Sequence, residues 1–384
     1  MSSEGDWTRW VHFHSSNQVV VDHPVSTIAR VDVLITGGAG FIGCRLSRAL
    51  LDVGRSVVVV DSLHPQVHSA DGRPPDLPEA VELFCGDVAE SATWDRLFRL
   101  HGPPRVVYHL AAETGTGQSL LEATRHGSAN VVGTTQLTDA LARYEHRPEH
   151  LILTSSRAVY GEGAWVDTNG LTFYPPPRSA ASLAAGQWNP VASDGQPAQP
   201  LPHRASTTWP RPTNVYAATK LAQEHLLEAW CASFGVPLSI LRLQNVFGPG
   251  QAVGNAYTGV LTFFARQLAS GQQIDVYEDG NIIRDFVFVD DVVDALMATE
   301  TRRPTDARRV DIGSGVATTL LQVADTMTAI ASGSAPFVSG RYRHGDVRAA
   351  FADIAAARDE LSWVPRVPLR SGLEALLKWV PGQL

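Results

Sequence analysis

Short apolar runs alternate with segments of helical periodicity along most of the chain. Runs rich in Val, Ile and Leu end at glycine or polar residues and are predicted to be buried parallel strands at 31–36, 57–60, 81–84, 105–110, 150–154, 238–243 and 309–312. Helical patterns lie between them at 41–53, 119–144 and 215–234. This alternation predicts the α/β fold class, with a doubly wound parallel sheet.

Regions that depart from the alternation suggest the domain organisation. Residues 1–30 are polar with scattered aromatic residues and are predicted to be a flexible extension, with an arm packed over the body as the alternative. Residues 31–248 are predicted to form the first domain, with a long irregular insertion at 163–211 that is rich in Pro, Ser, Ala and Gly. Residues 249–384 are predicted to form mainly a smaller C-terminal α/β lobe, which returns to the main sheet near 286–313.

The composition is that of a globular protein with a sizeable core, since 44% of its 384 residues are apolar. The formal net charge of −8 argues against a nucleic-acid surface, which needs a basic face. No apolar run reaches the length of a transmembrane helix, so no membrane association is expected. Three separated cysteines form no metal or redox motif, so no metal site is expected, and their sparse use suits a reducing cytoplasm.

A glycine-rich turn follows the first predicted strand and opens the first predicted helix, with Gly37, Gly40 and Gly43 three residues apart. Such a turn brings backbone N–H groups to a pyrophosphate at the helix N-terminus, where the helix dipole favours an anion. Asp61 ends the next strand, where a carboxylate can accept both ribose hydroxyls of NAD and would repel the 2′-phosphate of NADP. The pattern predicts an NAD site, and a tight turn without a ligand is the alternative.

Two further strand ends fit the same cofactor. Asp87 follows the third strand and is placed to hydrogen-bond the adenine amino group, although a turn or helix cap is a serious alternative. The fourth strand ends in His109-Leu110-Ala111-Ala112, where small residues let a flat ring lie close to the backbone.

Tyr216 and Lys220 lie four residues apart at the start of a helical stretch and therefore share a helix face. A neighbouring ammonium favours the phenolate and lowers the pKa of a tyrosine. Lys220 and Lys378 are the only lysines of the chain, against 29 arginines, so we expect Lys220 to have a role that arginine does not fill. A chance pair on the surface is the alternative.

Ser156 lies at the end of the fifth strand, in the sequence Thr154-Ser-Ser-Arg157. Hydroxyls at the carboxyl edge of an open parallel sheet point into the crevice where ligands bind. We therefore expect Ser156 to hydrogen-bond the reacting oxygen of the substrate, with a backbone cap as the alternative.

The motifs together resemble the extended short-chain dehydrogenases/reductases, in particular the NAD-dependent nucleotide-sugar epimerase/dehydratase family. The resemblance covers about residues 31–380. It is carried in order by 36–43, Asp61, 86–87, 109–112, 130–134, Ser156, Tyr216, Lys220, 245–250, 284–286 and 343–346. It implies a Rossmann fold.

The resemblance also implies roles for individual positions. Ser156, Tyr216 and Lys220 match the catalytic residues. The implied NAD-binding residues are Gly37, Gly40, Phe41, Ile42, Gly43, Asp61, Ser62, Asp87, Val88, Leu110, Ala111, Ala112, Asn130, Thr154, Tyr216 and Lys220. The implied substrate-binding residues are Thr114, Ser156, Arg157, Asn245, Gln251, Tyr257, Arg284, Arg343 and Asp346.

The family carries out several reactions after a common oxidation of the sugar at C4. Its 4,6-dehydratases place an Asp-Glu pair directly after the hydroxyl residue, and its decarboxylases place a glutamate at the second of these positions. This chain has Arg157 and Ala158 there, and neither can exchange a proton as those acids do. A 4-epimerase is therefore favoured over a dehydratase, decarboxylase or 4-ketoreductase, although Glu113 or Glu162 could act from nearby. A non-catalytic NAD sensor or scaffold is the alternative of another class.

Two segments indicate which substrate within the family is favoured. Residues 113–119 and 248–259 resemble the subgroup of dTDP-L-rhamnose 4-epimerases, as does the place of the insertion before Tyr216. The resemblance implies a dTDP- or UDP-linked sugar as substrate, a cytoplasmic enzyme and a homodimer formed through the helices at 119–144 and 215–234.

Overall fold

The computed structural model describes residues 31–68, 72–193, 195–254 and 259–384. The predicted N-terminal extension at 1–30 and the predicted substrate residue Tyr257 lie outside the described residues.

A seven-stranded parallel sheet forms the centre of the molecule and confirms the predicted fold class. Its strands, numbered in chain order, are β1 Val33–Thr36, β2 Val57–Asp61, β3 Glu82–Cys85, β4 Val106–His109, β5 His150–Ser156, β6 Leu238–Leu243 and β7 Arg308–Ile312. They lie in the order β7-β6-β5-β4-β1-β2-β3. The order reverses between β1 and β4, so the carboxyl ends of these two strands border the crevice in which doubly wound sheets bind ligands.

The strands read as continuous apolar runs because both faces of the sheet are buried. Val33 and Ile35 of β1 pack into one core cluster, whereas Leu34 packs into a second cluster on the opposite face. Helices cover both faces. Those of the described residues are Phe41–Asp52, Ser91–His101, Ala123–His126, Gly133–Arg143, Ala180–Ala184, Val215–Phe234, Val260–Ala269, Val289–Thr301, Leu320–Ala331, Ala355–Leu361 and Leu369–Trp379.

The helical segment predicted at 119–144 is not a regular α-helix. A 3₁₀ turn spans Gln118–Leu120, and a π-helical stretch, Gly127–Val132, joins the helices Ala123–His126 and Gly133–Arg143. Wide turns of this kind are often found beside functional sites, because they redirect a side chain without ending the helix. Asn130 lies in this stretch.

The helix Val215–Phe234 is fixed at both ends by local sequence. The Asn214 side chain accepts a hydrogen bond from the Ala217 N–H at 2.9 Å. Gly235 ends the helix in the left-handed conformation, with φ of 66°. This helix carries Tyr216 and Lys220.

The C-terminal part forms a second lobe with its own core. Small sheets pair Asn245–Phe247 with Phe286–Phe288 and Asp275–Val276 with Phe337–Val338. A third sheet places Ile283–Arg284 between Thr318–Thr319 and Ala349–Ala350. Between Phe286–Phe288 and Thr318–Thr319 the chain returns to the main sheet through β7.

The insertion at 163–211, expected to be irregular, contains a small sheet. Trp165–Val166 pairs antiparallel with both Thr172–Phe173 and Gln199–Pro200. Arg178 ties the insertion to the C-terminal lobe, because its buried guanidinium donates to Glu278 Oε1 at 2.7 Å and to the Asp346 carbonyl at 2.6 Å. The insertion is thus ordered by contacts with distant residues.

Candidate active site

The glycine turn is packed directly against the end of β4. A Cβ atom at Gly37 would lie 2.8 Å from the Ala111 backbone, and one at Gly43 would lie 2.6 Å from Gly38. Gly37 also adopts φ of 66°, which L-residues with side chains avoid. The sequence therefore needs glycine here to bring the first helix close to the sheet.

Asp61 at the end of β2 is held by the same turn. Its Oδ2 accepts from the Ala39 N–H at 3.1 Å, and its Oδ1 accepts from the Leu63 N–H at 2.9 Å. His68 Nε2 lies 3.6 Å from Oδ1. The carboxylate is thereby oriented at the rim of the cleft, where a ribose would lie.

A cleft of about 770 Å³ runs from Asp61 to Tyr216 along the carboxyl ends of the strands. Most of the predicted site residues line it: Gly37, Gly40, Phe41, Ile42, Gly43, Asp61, Ser62, Asp87, Val88, Leu110, Ala111, Ala112, Thr114, Thr154, Ser156, Tyr216, Lys220 and Gln251. The cleft fits NAD, because the close glycine turn, the ribose carboxylate and the phenol follow one another along a single groove. Asp87 also accepts a hydrogen bond from the Ala89 N–H at 2.8 Å. It therefore also has the turn-capping contact that was the alternative to an adenine contact.

Tyr216 lies in a buried environment that opposes ionisation. Burial raises the pKa of its phenol, while a hydrogen bond from Ser156 and the positive charge of Arg157 act in the opposite direction. The Ser156 hydroxyl also caps the following turn, since it accepts from the Ala158 N–H at 3.1 Å. The sequence assigned the lowering of the Tyr216 pKa to Lys220, whereas in the structure Ser156 and Arg157 have this effect.

Lys220 is 2% exposed, and its ammonium faces the side chain of Gln223. The Nζ atom donates to Gln223 Oε1 at 2.5 Å. Burial lowers the pKa of Lys220 to about 7, against the smaller opposing effect of the Glu224 carboxylate. The lysine therefore titrates close to neutral pH, which makes its charge sensitive to its immediate hydrogen-bond partners.

Two arginines predicted to bind the substrate, Arg157 and Arg284, lie outside the cleft lining, and Arg157 directly follows Ser156. Arg157 Nε donates to Asn245 Oδ1 at 3.0 Å, which places these two predicted substrate residues side by side. Burial, followed by the charge of Arg284, lowers the pKa of Arg157 to about 9, and burial also lowers the pKa of Arg284. Two buried guanidiniums of like charge form a region that favours a polyanion such as a diphosphate.

Six predicted residues among those that the structure describes lie outside the cleft lining: Arg157, Asn245 and Arg284, described above, and Asn130, Arg343 and Asp346. Asn130 is fully buried, and its amide bridges the Glu113 backbone and Thr219 Oγ1, so it holds the cleft wall against the helix Val215–Phe234. Arg343 is exposed and lies over the Tyr277 ring, 5.3 Å from its centroid. Asp346 lies beside the insertion through its carbonyl contact with Arg178.

Neither carboxylate that could replace the dehydratase acid is free to do so. Glu162 Oε2 accepts from the Arg348 N–H at 2.8 Å, and Glu162 Oε1 lies 3.3 Å from Arg178 Nε. Glu113 lines the cleft but accepts from Arg125 Nη2 at 2.7 Å. Ala158, at the position of the dehydratase glutamate, is buried and has no titratable group.

No role for Gln223 or Thr134 was predicted from the sequence, and His109 was predicted only as part of a strand-end motif. Their contacts place all three behind Lys220. One signal was available for Gln223, because residues three apart on a helix are neighbours and Gln223 follows Lys220 by three.

Comparisons with known proteins agree with this geometry. The family model described as NAD dependent epimerase/dehydratase family matches residues 33–185 and 189–313. The chain belongs to this family. NAD is accordingly its cofactor, and the expectation of an NAD-dependent nucleotide-sugar 4-epimerase is confirmed.

Curated relatives match nearly the whole chain. It is 49% identical over 352 residues to dTDP-L-rhamnose 4-epimerase of Burkholderia thailandensis, covering 92% of this chain and 95% of the relative. It is 30% identical over 348 residues to UDP-glucose 4-epimerase of Mycolicibacterium smegmatis, covering 88% and 95%. The identity to the first relative extends through both lobes.

Solved structures of family members have the same fold. UDP-glucose 4-epimerase of Thermus thermophilus in complex with NAD is 26% identical, with a TM-score of 0.72 and coverage of 92% of this chain and 100% of the other. UDP-glucose 4-epimerase of Thermotoga maritima with UDP-glucose is also 26% identical, with a TM-score of 0.73 and coverage of 92% and 99%. In the part of this chain that the structure describes, no helix has the length and hydropathy needed to cross a membrane.

Proposed function

We propose that the protein is a dTDP-L-rhamnose 4-epimerase, which inverts the configuration at C4 and yields dTDP-6-deoxy-L-talose. The observation that carries the proposal is that Ser156, Tyr216 and Lys220 line one cleft with the glycine turn. The identity to the Burkholderia enzyme, which far exceeds that to the UDP-glucose epimerase relative, supports the sugar and the nucleotide.

The proposed reaction begins at the C4 hydroxyl of the sugar. Tyr216, as phenolate, removes the hydroxyl proton, while Ser156 hydrogen-bonds the same oxygen and holds it beside the phenol. NAD held along the glycine turn and Asp61 would supply the hydride acceptor and donor for C4, so that the hydride could return to the opposite face of the ketone. Tyr216 then gives the proton back, so that the product is an isomer of the substrate and no reductant is consumed.

The phenolate has to form in a buried site. The Ser156 hydroxyl stabilises it by a hydrogen bond, and the Arg157 guanidinium stabilises it by charge. Lys220 adds positive charge at the cleft lining and holds the cofactor ribose in this proposal. Ser156 and Arg157 favour the charged phenolate that burial alone disfavours.

The nucleotide diphosphate is proposed to lie against Arg157, Asn245 and Arg284. Arg284 is 6% exposed, and its Nη1 donates to the Ile283 carbonyl at 2.8 Å, which leaves further N–H groups for an anion. Arg343, above Tyr277, would close over the nucleotide. Gln251, Tyr257 and Asp346 are proposed to complete the substrate site.

Cofactor binding and substrate binding are proposed to belong to successive parts of the chain. Residues 31–248 bind NAD, with the insertion at 163–211 closing one side, and residues 249–384 mainly bind the nucleotide sugar. We further propose a cytoplasmic homodimer, paired through helices Gly133–Arg143 and Val215–Phe234.

The decisive experiment is turnover of dTDP-L-rhamnose by the purified protein without added reductant. We expect a new C4 epimer of unchanged mass, seen by NMR spectroscopy, and a lower kcat/KM for UDP-glucose and UDP-glucuronate. Loss of water from the sugar would indicate a dehydratase, and stoichiometric use of NADH would indicate a ketoreductase. Absence of turnover with every nucleotide sugar, despite bound NAD, would favour the sensor.

A further inference from the structure

A buried hydrogen-bond chain connects Lys220 to the strand that precedes the glycine turn. Gln223 Oε1 accepts from Lys220 Nζ at 2.5 Å, and Gln223 Nε2 donates to Thr134 Oγ1 at 2.8 Å. Gln223 Nε2 also lies 3.2 Å from His109 Nε2. His109 Nδ1 lies 2.7 Å from Thr36 Oγ1, the residue directly before Gly37.

The orientation of the Gln223 amide is fixed by its neighbours. The Thr134 hydroxyl donates to the Asn130 carbonyl at 2.6 Å, so its oxygen is left to accept, and only the amide nitrogen of Gln223 can donate to it. The amide oxygen must then face Lys220. An oxygen acceptor at this place favours the charged form of the lysine.

The surroundings of Lys220 provide few other groups that could hold its charge. Glu224, one turn along the same helix, is bound by Arg242 at 2.6 Å and by Ser155. His109, from β4, is fully buried, and burial lowers the pKa of its imidazole to about 3, so it adds no positive charge beside the lysine. Tyr216 lies on the same helix, and Arg157 approaches Tyr216 from the turn after β5.

We propose that Gln223 is a positioning residue of the reaction, which orients the Lys220 ammonium and keeps it protonated through a chain that Thr134 and His109 anchor. The proposal deepens the proposed function, since it rests on Lys220 acting with Tyr216. It assigns Gln223 a part in catalysis without contact with substrate or cofactor.

The two lysines of the chain allow a direct test that needs no turnover. In protein labelled with ¹³C at lysine Cε, NMR titration gives one signal for buried Lys220 and one for exposed Lys378, assigned with K378R. We expect Gln223→Met to lower the pKa of Lys220 by about one unit or more, because the acceptor of the ammonium is lost. We expect Gln223→Glu to raise it, and the Lys378 signal to stay unchanged in both variants.

The pH profile of epimerisation supplies a second readout. In Gln223→Met the basic limb of kcat/KM should move to lower pH and kcat near neutral pH should fall about tenfold, because Lys220 then loses its proton, and with it the ammonium at the cleft lining, at a lower pH. Gln267→Met is the matched control: the amide of Gln267 lies in the C-terminal lobe, and its Oε1 has no hydrogen-bond partner among the described residues. It should leave the Lys220 titration and the profile unchanged.

An unchanged Lys220 pKa in folded Gln223→Met would overturn the proposal, even if the enzyme were fully active on dTDP-L-rhamnose. If Gln223→Met does not fold, Thr134→Val serves instead, since it removes the acceptor of the amide nitrogen and keeps Gln223. It should then shift the Lys220 pKa in the same direction by a smaller amount, and no shift would equally refute the role. A different true substrate would leave the NMR result intact, so the two proposals fail separately.

Discussion

The imidazole of His203 lies against the ring of Tyr160, with the two ring centroids 4.4 Å apart. His203 belongs to the insertion, whereas Tyr160 follows the strand that carries Ser156. Both side chains are buried, and Tyr160 also donates to Asp311 Oδ1 at 2.8 Å. The contact therefore attaches the insertion to the turn that follows β5 and, through Asp311, to β7 of the main sheet.

This burial predicts a loss of stability in mild acid. Burial lowers the pKa of His109, His150 and His203 to about 3, below the unfolded value of about 6.5. The stabilisation is complete above pH 6.5 and is lost as the pH falls through 3, by about 2 kcal/mol per histidine at pH 5. Denaturant unfolding between pH 7 and about pH 5 measures this slope.

His203→Gln should reduce the pH dependence of the free energy of unfolding. His225→Gln is the control, because the His225 side chain is 66% exposed. An equal slope in wild type and His203→Gln would show that His203 is not held neutral by the fold.

Tyr216→Phe should retain NAD and lose most of its turnover. The phenol oxygen acts in proton transfer, which typically contributes about 10²–10⁴-fold to the rate, whereas the ring still fills the same place. Absorbance of bound cofactor and kcat measure the two effects. Tyr144→Phe removes a hydroxyl at a partly exposed ring and should leave both unchanged. Activity of Tyr216→Phe within about twofold of wild type would contradict the base assignment.

Substitutions of Asp61 should weaken the binding of NAD. Asp61→Ala removes both the ribose acceptor and the bond to the Ala39 N–H, so we expect NAD to bind at least about tenfold more weakly. Asp61→Asn keeps one carbonyl acceptor and should lose less. Calorimetric titration with NAD and NADP measures the change, and tight binding of NADP by the wild type would disagree with the predicted preference.

Arg178→Leu should destabilise the fold, because it leaves Glu162 buried without its ion-pair partner and leaves Glu278 with Arg348 alone. Removal of one partner from a buried pair costs about 3–5 kcal/mol. Arg366→Leu is the control at an 80% exposed side chain and should change the free energy of unfolding little. A small effect at Arg178 would mean that the insertion is held mainly by apolar contacts.

Arg343→Ala should raise KM for the nucleotide sugar and leave kcat almost unchanged. The Arg343 guanidinium is exposed above Tyr277 and lies outside the cleft lining, so it can contribute binding to the nucleotide but not to the reacting carbon. Steady-state kinetics distinguish the two parameters. An unchanged KM would remove Arg343 from the substrate clamp.

Local patterns were sufficient to predict the sheet and the cofactor turn. A buried parallel strand is an apolar run because both faces are covered, so β1 and the four-valine run of β2 were readable directly. The turn at Gly37 was equally readable, because only glycine satisfies both its φ and its closeness to Ala111.

Features that depend on contacts between residues far apart in the chain could not be predicted from the sequence. The order of the insertion depends on Arg178 meeting Glu278, a hundred residues away, and no local pattern encodes such a pair. The π-helical turn that turns Asn130 toward Glu113 and Thr219 is likewise a product of packing. Gln223, the partner of Lys220, could be predicted from helix geometry because it follows Lys220 by three residues. His109 and Thr134, which contact Gln223, belong to other elements and could not be predicted in this way.

The burial of Lys220 has a practical consequence for surface chemistry. Since the other lysine, Lys378, lies exposed on the helix Leu369–Trp379, amine-reactive esters applied to the folded protein should acylate one lysine side chain and spare the other. Among the lysine side chains, a dye or tether attached in this way would mark one known point on the C-terminal lobe.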